Sequence, residues 1–338
     1  MHWENTYVAG LGVDLPEPHS AEQAVRDGLY DAVEFEANGI LSVLVGEDPA
    51  PVMAARAGTA ALAASGRSAD ECALVLHASL WFQGVDMFPA ASYVARFSVG
   101  ERVPAYEVLQ QCNGGMAALE LAATQLSVRA EPSTALITTG DRFALPGIDR
   151  WRSEDGILYG DGATALLLAN DRGFARLLST ATVCDNSLEQ VVRGPDWYDS
   201  PGSKQLALGE RIAAFPGGMG AVREAAGRLG ATVRSSIDQA LVDAKTEMSE
   251  IAHVVIPASG RAKLQWQLHQ LIGIDEAKTS WEFGRLAGHI GAGDQFAGLH
   301  HAVRTGIVGV GDKVLLVGGG AGFTSTCAVV RVESAPAV

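Results

Sequence analysis

The stretch YEVLQQCNGGMAALELAATQL, residues 106–126, places one cysteine, Cys112, directly before an Asn-Gly-Gly turn and a helix of small apolar residues. A helix begins with backbone N–H groups that lack an intrahelical partner, and its dipole is positive at that end. Both features favour the thiolate, which is the nucleophilic form of cysteine, and the same N–H groups can stabilise the oxyanion of an attacked acyl group. The motif predicts a nucleophile for acyl chemistry. On its own it fits equally well a cysteine that only packs at a helix start.

The composition limits the partners of the chain. Its 338 residues are 48% hydrophobic and 19% charged, with a net charge of -14. A polyphosphate or an anionic membrane needs clustered Lys and Arg, so we expect binding to neither. No apolar run approaches the length of a membrane span, and the first residues lack the pattern of a signal peptide. We therefore expect a soluble, cytoplasmic protein.

The other cysteines, Cys72, Cys184 and Cys327, have neither the paired spacing of zinc sites nor the density of a disulfide scaffold. A reducing compartment suits them. Each lies in or directly after an apolar, strand-like run. We therefore expect three buried, inert thiols.

Helical and strand-like patterns alternate along the chain. In the first half the predicted strands are 8–13, 72–81, 134–143 and the run after the glycine turn in 157–171, with helices 51–66 and 116–126. After an irregular stretch near 195–220 the order recurs, with helices 221–244 and 261–273 and strands 252–260, 312–320 and 325–333. The recurrence predicts a duplicated α/β unit in one compact body, with halves 1–175 and 176–338.

Four segments resemble, in order and spacing, the β-ketoacyl-acyl carrier protein synthase III family of the thiolase superfamily. They are YEVLQQCNGGMAALELA, ALITTGD, ILYGDGATALLLA and VGVGDKVLLVGGGAGFTSTCAVV. The resemblance covers nearly the whole chain and implies a duplicated five-layer αβαβα thiolase fold and a homodimer. It also implies that Cys112 accepts an acyl group from a thioester, and that the backbone N–H groups of Cys112 and Ala321 form the oxyanion hole.

Two segments depart from the pattern of the condensing members of that family. Those members carry a His in a P-H-Q-A-N segment and an Asn in a G-N-T-S segment, which together bind the enolate oxygen formed by decarboxylation. Here Ala258 stands where the His would be, and His289 stands where the Asn would be. One enolate ligand is absent and the other is a titratable base, so carbon–carbon bond formation is disfavoured.

The base instead favours acyl transfer to oxygen or nitrogen, because an alcohol attacks a thioester poorly unless its proton is removed. Asp294, on the same Gly-rich loop, can accept from the other imidazole nitrogen and fix the tautomer. Cys112, His289 and Asp294 are thus predicted as nucleophile, base and orienting residue. Alternatively, His289 only packs and Asp294 only caps the next helix. Because the adjacent His300 and His301 would point to different faces of that helix, we expect no metal.

The resemblance implies two further groups of site residues. Met87 and Phe88 belong to an apolar run that would line the acyl tunnel of the partner subunit. Basic residues near the tunnel mouth would meet the phosphates of coenzyme A or an acidic carrier protein, although each on its own is an ordinary solvated charge: Arg223, Arg228, Arg261 and Lys263. We expect no permanently bound cofactor, because acyl-CoA or acyl-phosphopantetheine serves as the donor substrate.

The G-H-x-G-A-G-D segment, residues 288–294, resembles that of the acyltransferase branch of the family, in which a Cys-His-Asp triad esterifies a sugar or similar hydroxyl. This resemblance implies an acyltransferase of antibiotic or polyketide biosynthesis. It would move an acyl group from acyl carrier protein or CoA, through acyl-Cys112, to a hydroxyl or amine of an acceptor such as a sugar or cyclitol. One alternative is a synthase III-type condensing enzyme that primes polyketide synthesis, and Ala258 argues against it. Another is a non-catalytic partner subunit of a synthase, and the presence of Cys112 argues against that.

Overall fold

The computed structural model describes residues 1–195, 197, 205–265 and 273–335. Its strands are β1 (Tyr7–Asp14), β2 (Pro18–Ser20), β3 (Ser42–Leu44), β4 (Cys72–Ala78), β5 (Ala105–Val108), β6 (Thr134–Asp141), β7 (Gly162–Ala169), β8 (Ala175–Cys184), β9 (Ile251–Val255), β10 (Lys313–Val317) and β11 (Thr324–Val332). Its helices are α1 (Ala21–Arg26), α2 (Ala32–Asn38), α3 (Ala50–Ser65), α4 (Ala90–Ser98), α5 (Gly114–Ser127), α6 (Gln190–Arg193), α7 (Leu208–Ala213), α8 (Gly218–Asp243), α9 (Arg261–Gln265), α10 (Trp281–Ala287) and α11 (Asp294–Arg304). Every strand and helix predicted from the sequence has its counterpart, except that residues 266–272 of the predicted helix 261–273 lie outside the described residues.

The sheet repeats one arrangement of strands. Nine of the described strands follow the order β5-β4-β6-β7-β1-β8-β11-β10-β9. In the first half β4 is parallel to β6, and β7 is antiparallel to both β6 and β1. In the second half β9 is parallel to β10, and β11 is antiparallel to both β10 and β8. The two sets of strands meet where β1 pairs with β8. The repeated arrangement confirms the duplicated α/β fold. The boundary after residue 175 stays a prediction.

The helices form layers on both sides of the strands. Helices α5 and α11 lie side by side and share one apolar cluster, to which Met116, Leu119, Phe296 and Leu299 contribute. Helix α3 packs on β1 and β7 on one outer side, and α8 packs on β8 and β11 on the other. The order is therefore the five-layer αβαβα arrangement that the resemblance implies, with α5 and α11 as its central layer.

The two central helices begin close to each other, and glycine makes this approach possible. A Cβ on Gly115 would lie 2.5 Å from the carbonyl oxygen of Ala292. A 3-10 turn precedes each helix, Gln111–Asn113 before α5 and Gly291–Gly293 before α11. The same local structure thus occurs in both halves at the point where they meet.

One of the three structural cysteines was predicted wrongly. Cys72 and Cys327 are buried, and burial raises the pKa of both thiols, that of Cys327 to about 11. Cys184 is exposed instead, because the last three residues of β8 extend past the buried part of the strand. Among the described helices, none is both long enough and apolar enough to cross a membrane.

Candidate active site

Cys112 lies in the 3-10 turn that leads into α5 and is half-buried. The residue before it, Gln111, has a φ of 51°, a value that a non-glycine residue rarely adopts and that clusters at functional sites. The residue after it, Asn113, is fully buried. Its Oδ1 accepts from the Thr326 amide (3.1 Å) and its Nδ2 donates to Thr326 Oγ1 (3.0 Å). Two hydrogen bonds therefore fix the turn that contains Cys112 to β11 in the second half of the chain.

The structure brings Cys112, His289 and Asp294 into one chain of contacts. His289 Nε2 lies 3.0 Å from Cys112 Sγ, and His289 Nδ1 lies 2.6 Å from Asp294 Oδ2. His289 and Asp294 are buried, with 2% and 5% of their surface exposed. Because Nδ1 faces a carboxylate, Nδ1 carries the proton in the neutral imidazole and Nε2 is free to accept one from the thiol.

Asp294 is the first residue of α11, and donors surround its carboxylate. Besides His289, Oδ2 accepts from the Ala258 amide at 2.7 Å, and Oδ1 accepts from the Ile290 amide at 2.9 Å. Each oxygen is thereby held, so the carboxylate fixes both the tautomer and the orientation of the imidazole. Where the condensing members carry the His that binds the enolate, this chain has only the methyl group of Ala258, and a Cβ on Gly284 would lie 3.2 Å from that methyl group.

Charge governs the protonation of His289. Burial lowers the pKa of this imidazole, but the negative charges of Asp294 and Cys112 outweigh burial and raise the pKa well above its ordinary value. The imidazolium form therefore persists at pH values where an exposed histidine is neutral. A proton taken from Cys112 is stabilised on His289, next to the thiolate that it leaves behind.

The predicted oxyanion donors belong to two segments in contact. Ala321 is half-buried in the turn between β10 and β11. A Cβ on its neighbour Gly320 would lie 2.4 Å from the Gln110 carbonyl and 2.9 Å from the Asn113 amide nitrogen. Neither the Cys112 nor the Ala321 amide donates to a backbone carbonyl within the described part of the chain. Both are available to an oxyanion, and the role itself stays a prediction.

Sequence reasoning missed Tyr159, which lies against the imidazole of His289. Its ring centroid is 5.7 Å from that of His289, and its hydroxyl donates to Glu154 Oε2 at 2.7 Å. The backbone on either side of Tyr159 holds His289. The His289 amide donates to the Leu158 carbonyl (2.8 Å), and the Gly160 amide donates to the His289 carbonyl (2.9 Å). The segment ILYGDG indicated a turn, but nothing in it indicated that its backbone pairs with that of His289.

Three of the four basic residues predicted to meet the donor are already paired. The ion pairs are Arg228 with Asp185, Arg261 with Glu276, and Lys263 with Glu154. Arg223 is exposed on α8. Only the Lys263 pair is connected to the triad, because Glu154 also accepts from Tyr159. Phosphates of a donor would have to share these cations with carboxylates, and donor binding by the four residues stays a prediction.

The predicted tunnel residues lie on an exposed loop. Met87 is fully exposed and Phe88 is half-buried, with its ring 5.9 Å from that of Tyr93. Phe82 and Val85 on the same loop are also more than half exposed, at 51% and 63%. Contiguous exposed apolar side chains are typical of interaction sites. The place of Met87 and Phe88 in a partner's tunnel stays a prediction.

The two histidines of α11, His300 and His301, do not join the triad. His301 stacks on Phe283 with ring centroids 4.9 Å apart, and burial lowers the pKa of both His300 and His301. In the described parts of the chain, no three His, Cys, Asp or Glu side chains come together as a metal site. The predicted lack of a metal stays a prediction.

Two family models match the chain on either side of the site. The model of 3-oxoacyl-[acyl-carrier-protein (ACP)] synthase III matches residues 106–186, which include Cys112, and the model of its C-terminal part matches residues 241–332, which include His289 and Asp294. The β-ketoacyl-[acyl-carrier-protein] synthase III of Caulobacter vibrioides is 26% identical over 346 residues, covering 96% of this chain and 99% of that protein.

Solved structures are similar along almost the whole length. The acyltransferase ChlB3 superposes with a TM-score of 0.93 at 34% identity, covering 98% of this chain and 99% of ChlB3. The 3-oxoacyl-[acyl-carrier-protein] synthase III of Aquifex aeolicus superposes with a TM-score of 0.78 at 22% identity, covering 96% of this chain and 99% of that one. OleA of Xanthomonas campestris gives 0.77 at 19%, with 98% of each chain covered. At these lower identities the last two show a shared fold alone.

Proposed function

The chain belongs to the 3-oxoacyl-[acyl-carrier-protein] synthase III family, and on that premise we propose that it is an acyltransferase that carries the acyl group on Cys112. The observation that carries the proposal is the contact of His289 Nε2 with Cys112 Sγ, backed by Asp294 on Nδ1. A buried base beside the nucleophile is what transfer to an alcohol or amine requires. The likeness to ChlB3 supports acyl transfer, and the names of the synthase III relatives support a thioester on acyl carrier protein as the donor. CoA is proposed as the alternative carrier.

In the first half-reaction, the Cys112 thiolate attacks the carbonyl carbon of the donor thioester while its proton resides on His289 Nε2. Negative charge develops on the carbonyl oxygen, to which the Cys112 and Ala321 amides donate. When the donor C–S bond breaks, the imidazolium returns its proton to the leaving thiolate. The products are acyl-Cys112 and the free thiol of CoA or phosphopantetheine.

In the second half-reaction, the acceptor hydroxyl attacks acyl-Cys112. His289 Nε2 removes the hydroxyl proton as the new C–O bond forms, and Asp294 holds the Nδ1 proton and offsets the positive charge. The tetrahedral intermediate collapses with cleavage of the C–S bond. The proton then passes from the imidazolium to Cys112, and the ester leaves.

Condensation is the second candidate, because the curated relatives are β-ketoacyl synthases. An enolate formed by decarboxylation needs donors around its oxygen. Ala258 offers no polar side chain, and its amide already donates to Asp294. The site therefore supports transfer with the donor's carboxylate, where it has one, intact.

We propose a hydroxyl of a sugar or cyclitol in antibiotic or polyketide biosynthesis as the acceptor, in line with the resemblance of the G-H-x-G-A-G-D segment. We also propose a homodimer. The exposed apolar side chains around Met87 support it, because such a surface is stabilised by burial against a second copy.

The test is incubation with acyl-thioesters and a panel of hydroxyl and amine acceptors, followed by mass spectrometry of protein and products. Acyl transfer gives an adduct on Cys112, then an acylated acceptor and one free thiol. Carbon dioxide with a new C–C bond would instead identify a condensing enzyme, and a protein that never forms the adduct would be a non-catalytic partner. Cys184→Ser is the matched control, because Cys184 is exposed and outside the site.

A further inference from the structure

Asp141, the last residue of β6, is fully buried beside the triad. Its Oδ1 accepts from the amides of Leu80 (2.8 Å) and Trp81 (2.7 Å), and its Oδ2 accepts from the amide of Ala292 (3.2 Å). One carboxylate thus joins the loop after β4 to the 3-10 turn that separates His289 from Asp294. No part of the mechanism described above uses it.

The 3-10 turn Gly291–Gly293, which lies between His289 and Asp294, packs directly on the Asp141 carboxylate. Gly291 has a φ of 70°, and a Cβ there would lie 2.1 Å from Asp141 Oδ2. Glycine is required on both counts, because other residues rarely adopt this φ and any side chain would collide with the carboxylate. Gly291 follows His289 by two residues. The turn that follows His289 therefore rests directly on Asp141.

Charge couples Asp141 to His289 as well. Burial raises the pKa of Asp141 to about 7, although its three amide donors and His289 lower it. Tyr159 also faces Asp141, and its pKa is raised by burial and by nearby negative charges, Asp141 among them. Arg142 follows Asp141 in the chain, and its Nε donates to the Gly46 carbonyl. Ionised Asp141 is thus a further anion, besides Asp294 and Cys112, that stabilises a positive charge on His289.

We propose that Asp141 is a positioning residue of the active site, which holds the His289 turn in place and stabilises the imidazolium through its charge. It acts through His289 and does not touch the substrate. Its consequence for acyl transfer rests on the proposed function. The effect on His289 does not, because the imidazole titrates without a donor or an acceptor.

The experiment is an NMR titration of the full-length chain with isotope-labelled histidine in a Cys112→Ser background, where no thiolate complicates the titration of His289. Among the signals of the eight histidines, that of His289 is identified as the one lost in His289→Ala. In Asp141→Asn the amide oxygen still accepts from Leu80 and Trp81, but the charge is gone. Removing a negative charge destabilises the imidazolium, so the pKa of His289 should fall by about one unit.

The matched control is Asp171→Asn. Asp171 is a partly buried carboxylate paired with Arg67, and it lies beyond Ala169, at the opposite end of β7 from the Gly162 that pairs with Asp141. This variant should leave the pKa of His289 unchanged. A His289 pKa in Asp141→Asn equal to that of the control would overturn the proposal.

A second variant keeps the proposal testable where Asp141→Asn fails to fold. Gly291→Ala retains the charge but pushes the turn away from the carboxylate, so the pKa of His289 should fall by a smaller amount. An unchanged pKa in this variant, with Asp141→Asn unfolded, would also overturn the proposal. A shifted pKa in a protein that transfers no acyl group would refute the proposed function and leave the role of Asp141 intact.

Discussion

Replacing Asp294 by asparagine removes its charge and nearly preserves its shape. In the native site three donors point at the carboxylate, which are His289 Nδ1, the Ala258 amide and the Ile290 amide. An asparagine can accept with its oxygen on one side only. If the oxygen faces His289, the NH₂ group opposes the Ile290 amide. If the NH₂ group faces His289, it opposes the Ala258 amide and moves the imidazole proton to Nε2, where the base is needed.

The magnitude follows from the buried contact of 2.6 Å between Nδ1 and Oδ2. Breaking a buried ion pair costs about 3–5 kcal/mol. Because His289 becomes positive as it takes the acceptor proton, this cost falls on the transition state of transfer. At about 1.36 kcal/mol per tenfold change in rate, transfer should slow by roughly 10²–10⁴-fold. The unpaired amide lowers the free energy of unfolding by about 1–3 kcal/mol, which a melting curve reports separately.

The assay is single-turnover transfer from preformed acyl-Cys112, followed by quenching and intact-mass analysis. Asp312→Asn is the matched control, because Asp312 accepts from the Gly309 amide in an exposed turn. That variant should transfer at the wild-type rate. If a folded Asp294→Asn enzyme also transferred at the wild-type rate, Asp294 would not be the residue that orients His289 and stabilises its positive charge.

Three further predictions concern the same site. Cys112→Ala should abolish the covalent adduct with an acyl-thioester, as measured by intact-mass analysis. If this variant formed the adduct in the same yield as the wild type, the acyl group would be carried by another residue. His289→Ala should accumulate acyl-enzyme and lose transfer by roughly 10²–10⁴-fold, with acylation less affected because the helix terminus also favours the thiolate; wild-type transfer from a preformed adduct would remove His289 from the mechanism. A malonyl donor, if accepted, should be delivered with its carboxylate, because Ala258 replaces an enolate ligand, and carbon dioxide released at the rate of product formation would contradict this.

Much of the fold could be predicted because its strands are continuous apolar runs. β6 and β7 are buried along their full length, as strands covered on both faces are, and a pattern of this kind is visible in the sequence. The prediction that Cys184 is buried was wrong for a related reason. The apolar run before Cys184 indicates a strand, but it does not show at which residue the packing of other elements on that strand ends.

The site could be predicted in part. His289 and Asp294 are only 5 positions apart in the chain, so their spacing and chemistry suggested a pair. The contact of His289 with Cys112, in contrast, joins residues 177 positions apart. Bonds between distant segments leave no local pattern. Examples are Asn113 with Thr326, 213 positions apart, and Lys263 with Glu154, 109 apart. Their geometry is set by how the two halves pack, which no single segment encodes.

The two 3-10 turns that precede α5 and α11 have a consequence for the biosynthesis of the chain itself. The turn with Cys112 lies in the first half of the chain and the turn after His289 in the second. The distance between Cys112 Sγ and His289 Nε2 therefore joins parts of one chain that are synthesised one after the other. During translation Cys112 emerges 177 residues before its base. A nascent first half therefore carries a thiol without its imidazole partner, and the complete Cys112–His289 pair forms only when the second half has folded against the first.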